Sequence, residues 1–361
     1  MHVLYYITAH GYGHAVRSAA VCNCLPSSGV RLTIVSDIPQ SFFEEEITIP
    51  HKVRRGVFDV GCLQSDGVTV QMEETLKAYQ DISIRNELLL DDEVRWCKDN
   101  GVDCIVSDIT PFAFEIADKA RIPSVAISNF TWHDIYSHYV KLYPQYESML
   151  MKMADQYAKA TLALALYPSS PMPFFTNTKS IPIIGRKGKN RKDEICNHFG
   201  IDRRKHLGLI YIGNYGLQNV NWKRLEEFKD WEFIGVYPPA QSQTPSNFHL
   251  VNKENFRYED LSASSDIIIS KMGYGVFSES LLNGIPLLYL PRDNFSEFAV
   301  LHTEAQRLGN GIFLDTGAFL NVEWGSCLAK AVENRKRDPV MNNGAMMCAE
   351  EIMKMIMSTR F

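Results

Sequence analysis

The chain has 361 residues and a mass of 41.1 kDa, with 45% hydrophobic and 22% charged residues. That balance excludes a largely disordered chain, a fibre or a small disulfide scaffold, and the length exceeds what one core usually spans, so two domains are expected. A formal net charge of −5 offers no global basic field for nucleic acid, and no run of 18 apolar residues is present to span a membrane.

The opening Met-His-Val-Leu-Tyr-Tyr-Ile has no basic n-region and reads as a first core strand rather than a signal peptide. Eight scattered cysteines form no C-x-x-C pair, and several sit in apolar runs, so a reducing cytoplasmic setting without structural zinc is expected. Along the chain, short apolar runs alternate with longer stretches of helical period, the pattern of parallel α/β units. In the first half, strands are predicted at 3–8, 31–36, 52–58, 102–107, 124–128 and 162–166, with helices at 15–24, 72–100, 112–121 and 133–159. The second half predicts strands at 207–212, 232–236, 266–270 and 286–290, and helices at 222–229, 276–282 and 298–308.

Between the halves, Pro168, Pro171, Pro173 and Pro182 lead into the basic run Gly185-Arg186-Lys187-Gly188-Lys189-Asn190-Arg191-Lys192. Proline interrupts helices and ladders, and a basic polar run has little to bury. This stretch is expected to be a solvated linker, with a grip on phosphate as the alternative. The expected division is a Rossmann-like domain over 1–180, a linker over 181–205, a second Rossmann-like domain over 206–340 and a C-terminal helix over 341–361. The two open α/β domains would face each other across a cleft.

The first strand runs into Ala9-His10-Gly11-Tyr12-Gly13-His14-Ala15-Val16-Arg17-Ser18. Gly11 and Gly13 permit a sharp turn and close backbone approach, and the helix that follows, which carries Arg17, aims its first N–H groups at whatever binds there. Asp37 ends the second strand where a dinucleotide fold keeps its ribose-binding acid, but Val16 stands in place of the third glycine, so NAD binding is not expected. His14 is placed either to take a proton from a hydroxyl or merely to cap the helix. Asp108, at the end of the strand 102–107, either orients that imidazole or caps the next helix. Asn129, Trp132 and His133 follow the next strand and would line the same edge, suiting a sugar face, with Trp132 as a core residue the alternative.

The second turn, Asp266-Ile-Ile-Ile-Ser-Lys271-Met-Gly273-Tyr-Gly275-Val-Phe-Ser278-Glu279, delivers a buried strand through glycines onto a helix N-terminus. Backbone donors plus the Lys271 cation fit a diphosphate, and Glu279 can accept from two vicinal ribose hydroxyls or simply complement the helix dipole. A smaller turn, Gly213-Asn214-Tyr215-Gly216, ends the first strand of the second half and is placed to face the cleft.

The stretch from Gly273 to Pro291 resembles the donor-binding signature of GT-B glycosyltransferases, a group that includes the peptidoglycan lipid-linked N-acetylglucosaminyltransferase. Residues 8–18, 59–64, 107–112, 129–132 with Ile135-Tyr136, and 271–279 are together similar to the glycosyltransferase-like N-terminal region of plant L-arabinokinases and its stand-alone bacterial relatives. The resemblance implies a GT-B fold, Glu279 on the ribose, Gly273, Gly275 and Ser278 near the diphosphate, His14 as catalytic histidine and Asp108 as its carboxylate partner. It also implies that the helical run 341–357 crosses back onto the first domain, and that the outcome is inverting and metal-independent. Lys271 stands where many GT-B enzymes carry histidine, and Asn294 and Glu297 stand in for their Asp-Gln pair on the donor sugar. No second glycine- and serine-rich ATP loop follows, so sugar-kinase chemistry is not expected.

The expected function is transfer of a sugar from a nucleoside-diphosphate sugar to a hydroxyl acceptor, with no cofactor. Asp91-Asp92-Glu93 belongs to a helical, exposed stretch and is not expected to hold a metal. The rivals are an epimerase or hydrolase acting on the same donor, and a non-catalytic module that binds it. No nucleic-acid partner is expected, and peripheral membrane association is left open.

Overall fold

Strands covered on both faces carry no polar alternation. The continuous apolar runs accordingly become the central strands of two parallel sheets in the computed structural model, which describes residues 1–65, 69–212, 219–235, 244–252, 254–333, 340 and 342–358. The first sheet contains β1 (His2–Ile7), β2 (Arg31–Ser36), β3 (His51–Arg55), β4 (Cys104–Asp108), β5 (Ser124–Ser128), β6 (Leu162–Leu166) and β7 (Thr178–Ile181), in the order β3-β2-β1-β4-β5-β6-β7. Its connections carry α1 (Tyr12–Cys22), α2 (Gln40–Glu46), α3 (Met72–Asp99), α4 (Phe112–Ala120), α5 (Trp132–Val140) and α6 (Glu147–Ala158). After α7 (Lys192–Phe199), the second sheet takes β8 (His206–Tyr211), β9 (Trp231–Gly235), β10 (Phe248–Leu250), β11 (Ile267–Lys271), β12 (Leu287–Leu290) and β13 (Gly311–Phe313), in the order β10-β9-β8-β11-β12-β13. Its helices are α8 (Tyr258–Ser264), α9 (Tyr274–Asn283), α10 (Glu297–Leu308), α11 (Thr316–Leu320), α12 (Gly325–Glu333) and α13 (Gly344–Ser358).

Several expectations need correction. The helix expected over 133–159 is broken into α5, a 3-10 turn at Pro144–Tyr146, and α6, because Pro144 has no N–H to continue a helix. The segment expected as a helix at 222–229 is a 3-10 turn over Trp222–Glu227. Strands β7, β10 and β13 are edge elements of three or four residues, too short or too polar to announce themselves. Val236, Met341 and the Gly213-Asn214-Tyr215-Gly216 turn lie outside the described residues.

The basic run 185–192 joins the two sheets and is solvent-accessible in part, but it is pinned to the second sheet's helices rather than free in solvent. The Gly188 N–H donates to Asn283 Oδ1 at 3.0 Å, that of Lys189 to Asp260 Oδ1 at 2.8 Å, and that of Arg191 to Ser264 Oγ at 2.7 Å. The run therefore lies along α8 and α9 and satisfies its backbone donors there. Further on, α13 packs against α1, β4 and β7 through Cys348, Ala349, Ile352 and Ile356, and Lys179 pairs with Glu351 at 2.9 Å. The last helix thus rests on the first sheet's layer.

A Cβ at Gly188 would collide with the Glu259 carbonyl, which is backbone and cannot swing away. Gly188→Ala is expected to lower unfolding free energy by about 1–3 kcal/mol, whereas Lys187→Ala at the exposed neighbouring position stays within about 0.5 kcal/mol. Denaturant titrations of the two variants check this; equal stabilities would mean that the run is free of the domain.

Candidate active site

Each sheet changes winding direction once, at β1 in the first and at β8 in the second. Such switch points open a crevice at the carboxyl ends of the strands. In the first sheet Ile7 is in register with Asp108, so the turn after β1 and the last residue of β4 are neighbours. Gly11 adopts φ 76°, a left-handed conformation that glycine tolerates, and it turns the chain into α1. His14 and Arg17, three residues apart on α1, then face Asp108 together.

Asp108 is fully buried and its two oxygens are saturated. Oδ1 accepts from His14 Nδ1 at 2.7 Å and from Arg17 Nη2 at 2.5 Å. Oδ2 accepts from Arg17 Nε at 2.6 Å and from Ser18 Oγ at 3.1 Å. Burial alone would raise this carboxyl, but the Arg17 guanidinium and His14 outweigh it and hold it down to about 2. An ionised carboxylate only accepts, so His14 Nδ1 carries the proton, and its 2.9 Å approach to Arg17 Nη2 is a donor–donor contact rather than a bond. The second ring nitrogen, Nε2, is left as an acceptor.

Behind His14, Asp59 accepts from Thr8 Oγ1 and Thr110 Oγ1, each at 2.6 Å, and so ties the turn after β1 to the turn after β4. Gly61 (φ 68°) lets the His10 ring sit directly over its backbone, where any Cβ would intrude. Arg17 also donates to Asn129 Oδ1 at 2.6 Å, and Asn129 Nδ2 donates to Glu297 Oε1 at 2.8 Å. That pair of bonds carries the network from the first sheet to α10 beside the second.

In the second sheet Tyr211 is in register with Ser270, which brings the ends of β8 and β11 together in front of α9. Glu279 lies on α9, 2% exposed; Oε1 accepts from Arg186 Nε at 2.8 Å, while Oε2 is buried with no hydrogen-bond partner among the described residues. Burial pushes this carboxyl up to about 7 against the pull of Arg186. Arg186 also approaches Glu259 at 3.2 Å and Glu46 at 3.7 Å, and lies over the Tyr258 ring.

A cleft of about 750 Å³ runs between the two strand-end faces. Of the residues singled out in the sequence, Gly11, Gly13, His14, Arg17, Lys271, Gly273, Gly275, Glu279 and Glu297 line it. Asp108 and Asn129 stand behind its wall and act on it through His14 and Arg17. Others are placed elsewhere. Ser278 Oγ donates back to the Gly275 carbonyl at 2.9 Å and packs against Gly185, so it does not reach the cleft. Trp132 is a core residue between Phe130 and Tyr136, and His133 packs on Phe174 at 4.3 Å between ring centroids. Asn294 offers its carbonyl to the Tyr139 hydroxyl at 2.6 Å and does not line the cleft. Gly213 and Asn214 lie outside the described residues.

The wall also includes His10, Tyr258, Arg292 and Phe295, which sequence reasoning did not select, and Arg186, which it placed in the basic run with a grip on phosphate only as the alternative. His10 was within reach, being next to Gly11 in the first turn. The basic run marked Arg186 only as one cation among several, and nothing local marks Arg292; the surroundings of both depend on what other elements bring to them. Among the described residues no three His, Cys, Asp or Glu side chains are grouped as metal ligands, and no helix is long and apolar enough to cross a membrane.

No family model matches the chain. It is 29% identical to L-arabinokinase of Arabidopsis thaliana over 334 residues, 91% of this chain and 32% of that protein. It is 27% identical over 119 residues, 29% of this chain and 31% of the other, to the UDP-N-acetylglucosamine--N-acetylmuramyl-(pentapeptide) pyrophosphoryl-undecaprenol N-acetylglucosamine transferase of Christiangramia forsetii. The chain thus spans about a third of the length of the curated relatives it matches. Among solved structures, the glycotransferase of kitacinnamycin matches with TM-score 0.67 and 16% identity, covering 98% of this chain and 99% of that one. UGT2 of Phytolacca americana, complexed with UDP-2fluoro-glucose and pterostilbene, matches with TM-score 0.65 and 13% identity over 99% of both chains. MurG of Acinetobacter baumannii matches with TM-score 0.58 and 14% identity, covering 98% and 99%. The architecture they share with this chain is the GT-B fold.

Asp108 ionises at about 2 when folded and near 4 when unfolded. Its contribution to stability is therefore complete above about pH 4 and is lost as the pH falls from about 4 to about 2. Asp108→Asn is expected to remove that part of the acid slope. By stranding the buried Arg17 guanidinium, it should also lower stability at neutral pH by about 3–5 kcal/mol. Denaturant titrations from pH 2 to 7 on both proteins provide the check, and superimposable pH profiles would contradict the pairing.

Proposed function

We propose that this GT-B chain transfers a glycosyl group from a nucleoside-diphosphate sugar to a hydroxyl acceptor, with inversion and without a bound metal. The observation that carries the reading is a single cleft with an oriented base on one wall and an unfilled carboxylate oxygen on the other. His14 is held by Asp108 with Nε2 as its acceptor, and Glu279 Oε2 has no partner. Between them lie Lys271 and the N-terminus of α9 at Gly273. Several of the structural neighbours are named as glycosyltransferases and one is complexed with UDP-2fluoro-glucose, which supports this donor class, while a further neighbour is named a putative UDP-N-acetylglucosamine 2-epimerase.

On this reading Glu279 accepts hydrogen bonds from the ribose hydroxyls, and the diphosphate lies against Lys271 and the first N–H groups of α9. The acceptor hydroxyl gives its proton to His14 Nε2 while its oxygen attacks the anomeric carbon. The bond from that carbon to the diphosphate oxygen breaks, and the nucleoside diphosphate departs with the electron pair. Attack opposite the leaving group inverts the anomeric centre. Asp108 stabilises the imidazolium that forms, and the fixed donors around the leaving group stabilise its charge, often the largest catalytic contribution.

His14→Ala is expected to reduce turnover by about 10²–10⁴-fold while leaving UDP or GDP affinity essentially intact. Initial-rate assays with calorimetric titration test both halves, and unimpaired turnover would remove His14 as the base. Consumption of donor with no acceptor present would instead favour an epimerase or hydrolase.

Ribose hydroxyls donate to the ionised form of Glu279, so nucleotide binding should release protons. Affinity is expected to climb with pH up to about 7 and level off above it, following the raised carboxyl. The same shift makes the unliganded protein lose stability as the pH rises from the ordinary glutamate range through about 7. Glu279→Gln should flatten the binding profile and weaken affinity by about 1–3 kcal/mol. Titrations in buffers of different ionisation enthalpy read the proton release directly; a pH-independent wild-type affinity would take Glu279 off the ribose.

A further inference from the structure

Arg292 lies two residues beyond β12, whose last residue, Leu290, is in register with Lys271. It is thus one strand across from the cation and helix N-terminus assigned above to the diphosphate. It lines the cleft, is 8% exposed, and lies over the Phe295 ring at 3.8 Å. Among the described residues it donates no hydrogen bond: Nε is buried without a partner, and the nearest carboxylate, Glu297 Oε2, is 3.8 Å from Nη1. Glu297 is already engaged, since Oε1 accepts from Asn129 of the first lobe. The other polar groups facing the guanidinium are the Cys62 thiol, the Tyr139 hydroxyl and the His10 imidazole.

His10 adds a second donor. Its Nδ1 accepts from the Cys62 backbone N–H at 3.1 Å, which leaves Nε2 carrying the proton, and its ring is stacked with Phe295. The loop that follows β12 thus offers the cleft a cation. The Asn294 backbone carbonyl accepts from Tyr139 and Glu297 Oε1 accepts from Asn129, so this loop is also tied to the first lobe. A buried guanidinium short of acceptors is costly unless a ligand supplies them, and its planar fork matches a carboxylate.

We propose that Arg292, with His10 beside it, is a specificity residue for a carboxylate on the transferred sugar, so that the donor is a nucleoside-diphosphate hexuronate; this rests on the glycosyl-transfer reading above. On this proposal the sugar extends from the distal phosphate along the cleft wall to which His10 and Arg292 both contribute, each packed against Phe295. The diphosphate itself retains Lys271 and α9.

Calorimetric titration of the full chain with UDP, UDP-glucose and UDP-glucuronate, and with GDP, GDP-mannose and GDP-mannuronate, tests the assignment. The wild type is expected to bind one hexuronate at least about tenfold more tightly than its matching hexose, the scale of a hydrogen-bonded charge pair. Arg292→Gln should bring the two within about threefold of each other while still binding the bare diphosphate, which also reports that the variant is folded. Should the glutamine variant not fold, Arg292→Lys, which keeps the charge but loses the fork, is expected to narrow the preference. Equal affinity for hexose and hexuronate in the wild type overturns the proposal, as does a preference that survives both substitutions intact. A selective loss of affinity for the bare diphosphate in a folded variant moves Arg292 to the phosphates and overturns it as well. If the wild type binds neither UDP nor GDP, the transfer reading fails and this assignment falls with it.

Discussion

A charged carboxylate with no solvent contact is the constraint on which the first lobe is built. Asp108 stands at the end of β4, at the sheet's switch point, where burial would expel an unpaired charge at a cost of several kcal/mol. Among the described residues only α1 supplies compensation, through Arg17, His14 and Ser18 together. The helix can satisfy Asp108 in one orientation only, so the charge fixes both the direction of α1 and the tautomer of His14. From Arg17 the same network passes through Asn129 to Glu297, so that lobe closure and the set of the base share a chain of buried polar contacts.

Both switch points arise from the same topology, yet they differ in chemical content. At β1/β4 the carboxylate of Asp108 is matched at both oxygens and holds the imidazole in one orientation, although Tyr5 Oη, Gln64 Nε2 and Trp132 Nε1 in the same half stay without partners among the described residues. At β8/β11 the matching is left incomplete: Glu279 keeps one oxygen, Tyr258 its hydroxyl and Arg292 its Nε without protein partners, all on the cleft wall. A rigid half that orients a base and a receptive half that awaits a ligand are what transfer between two bound substrates requires.

The central strands were legible because β1, β4, β5 and β6 are buried at every position and carry apolar runs of three to five residues with polar residues only at their ends. Both glycine turns were legible because each site segment is continuous in sequence. Ser278 and Glu279 show the limit of such reading. Adjacent residues on a helix point about 100° apart; here Glu279 lines the cleft while the hydroxyl of Ser278 turns back to the Gly275 carbonyl. The basic run 185–192 failed differently. Its composition suggested solvent, but Arg186 is drawn among Glu46, Glu259 and Glu279, and these acids come from three distant elements. Pairings of that kind follow from tertiary structure and leave no local trace in the chain.

Unmatched polar atoms in a protein interior each cost about 1–3 kcal/mol, so their distribution carries information. Had the cleft been only a seam between lobes, its acids and bases would be expected to pair across it, as Asn129 and Glu297 do. Arg186 and Glu279 instead share a single contact that leaves Oε2 open, and Arg292 lies 3.8 Å from the nearest carboxylate oxygen without a hydrogen bond to it. The second lobe therefore tolerates a destabilisation that a ligand with hydroxyl donors near Glu279 and an anion near Arg292 would relieve. A site built on such open groups discriminates strongly against ligands lacking the matching atoms, because the wrong ligand leaves them buried and unpaired. On the proposed transfer reading, selectivity in this cleft resides in the second lobe, and the orientation of the reacting hydroxyl in the first.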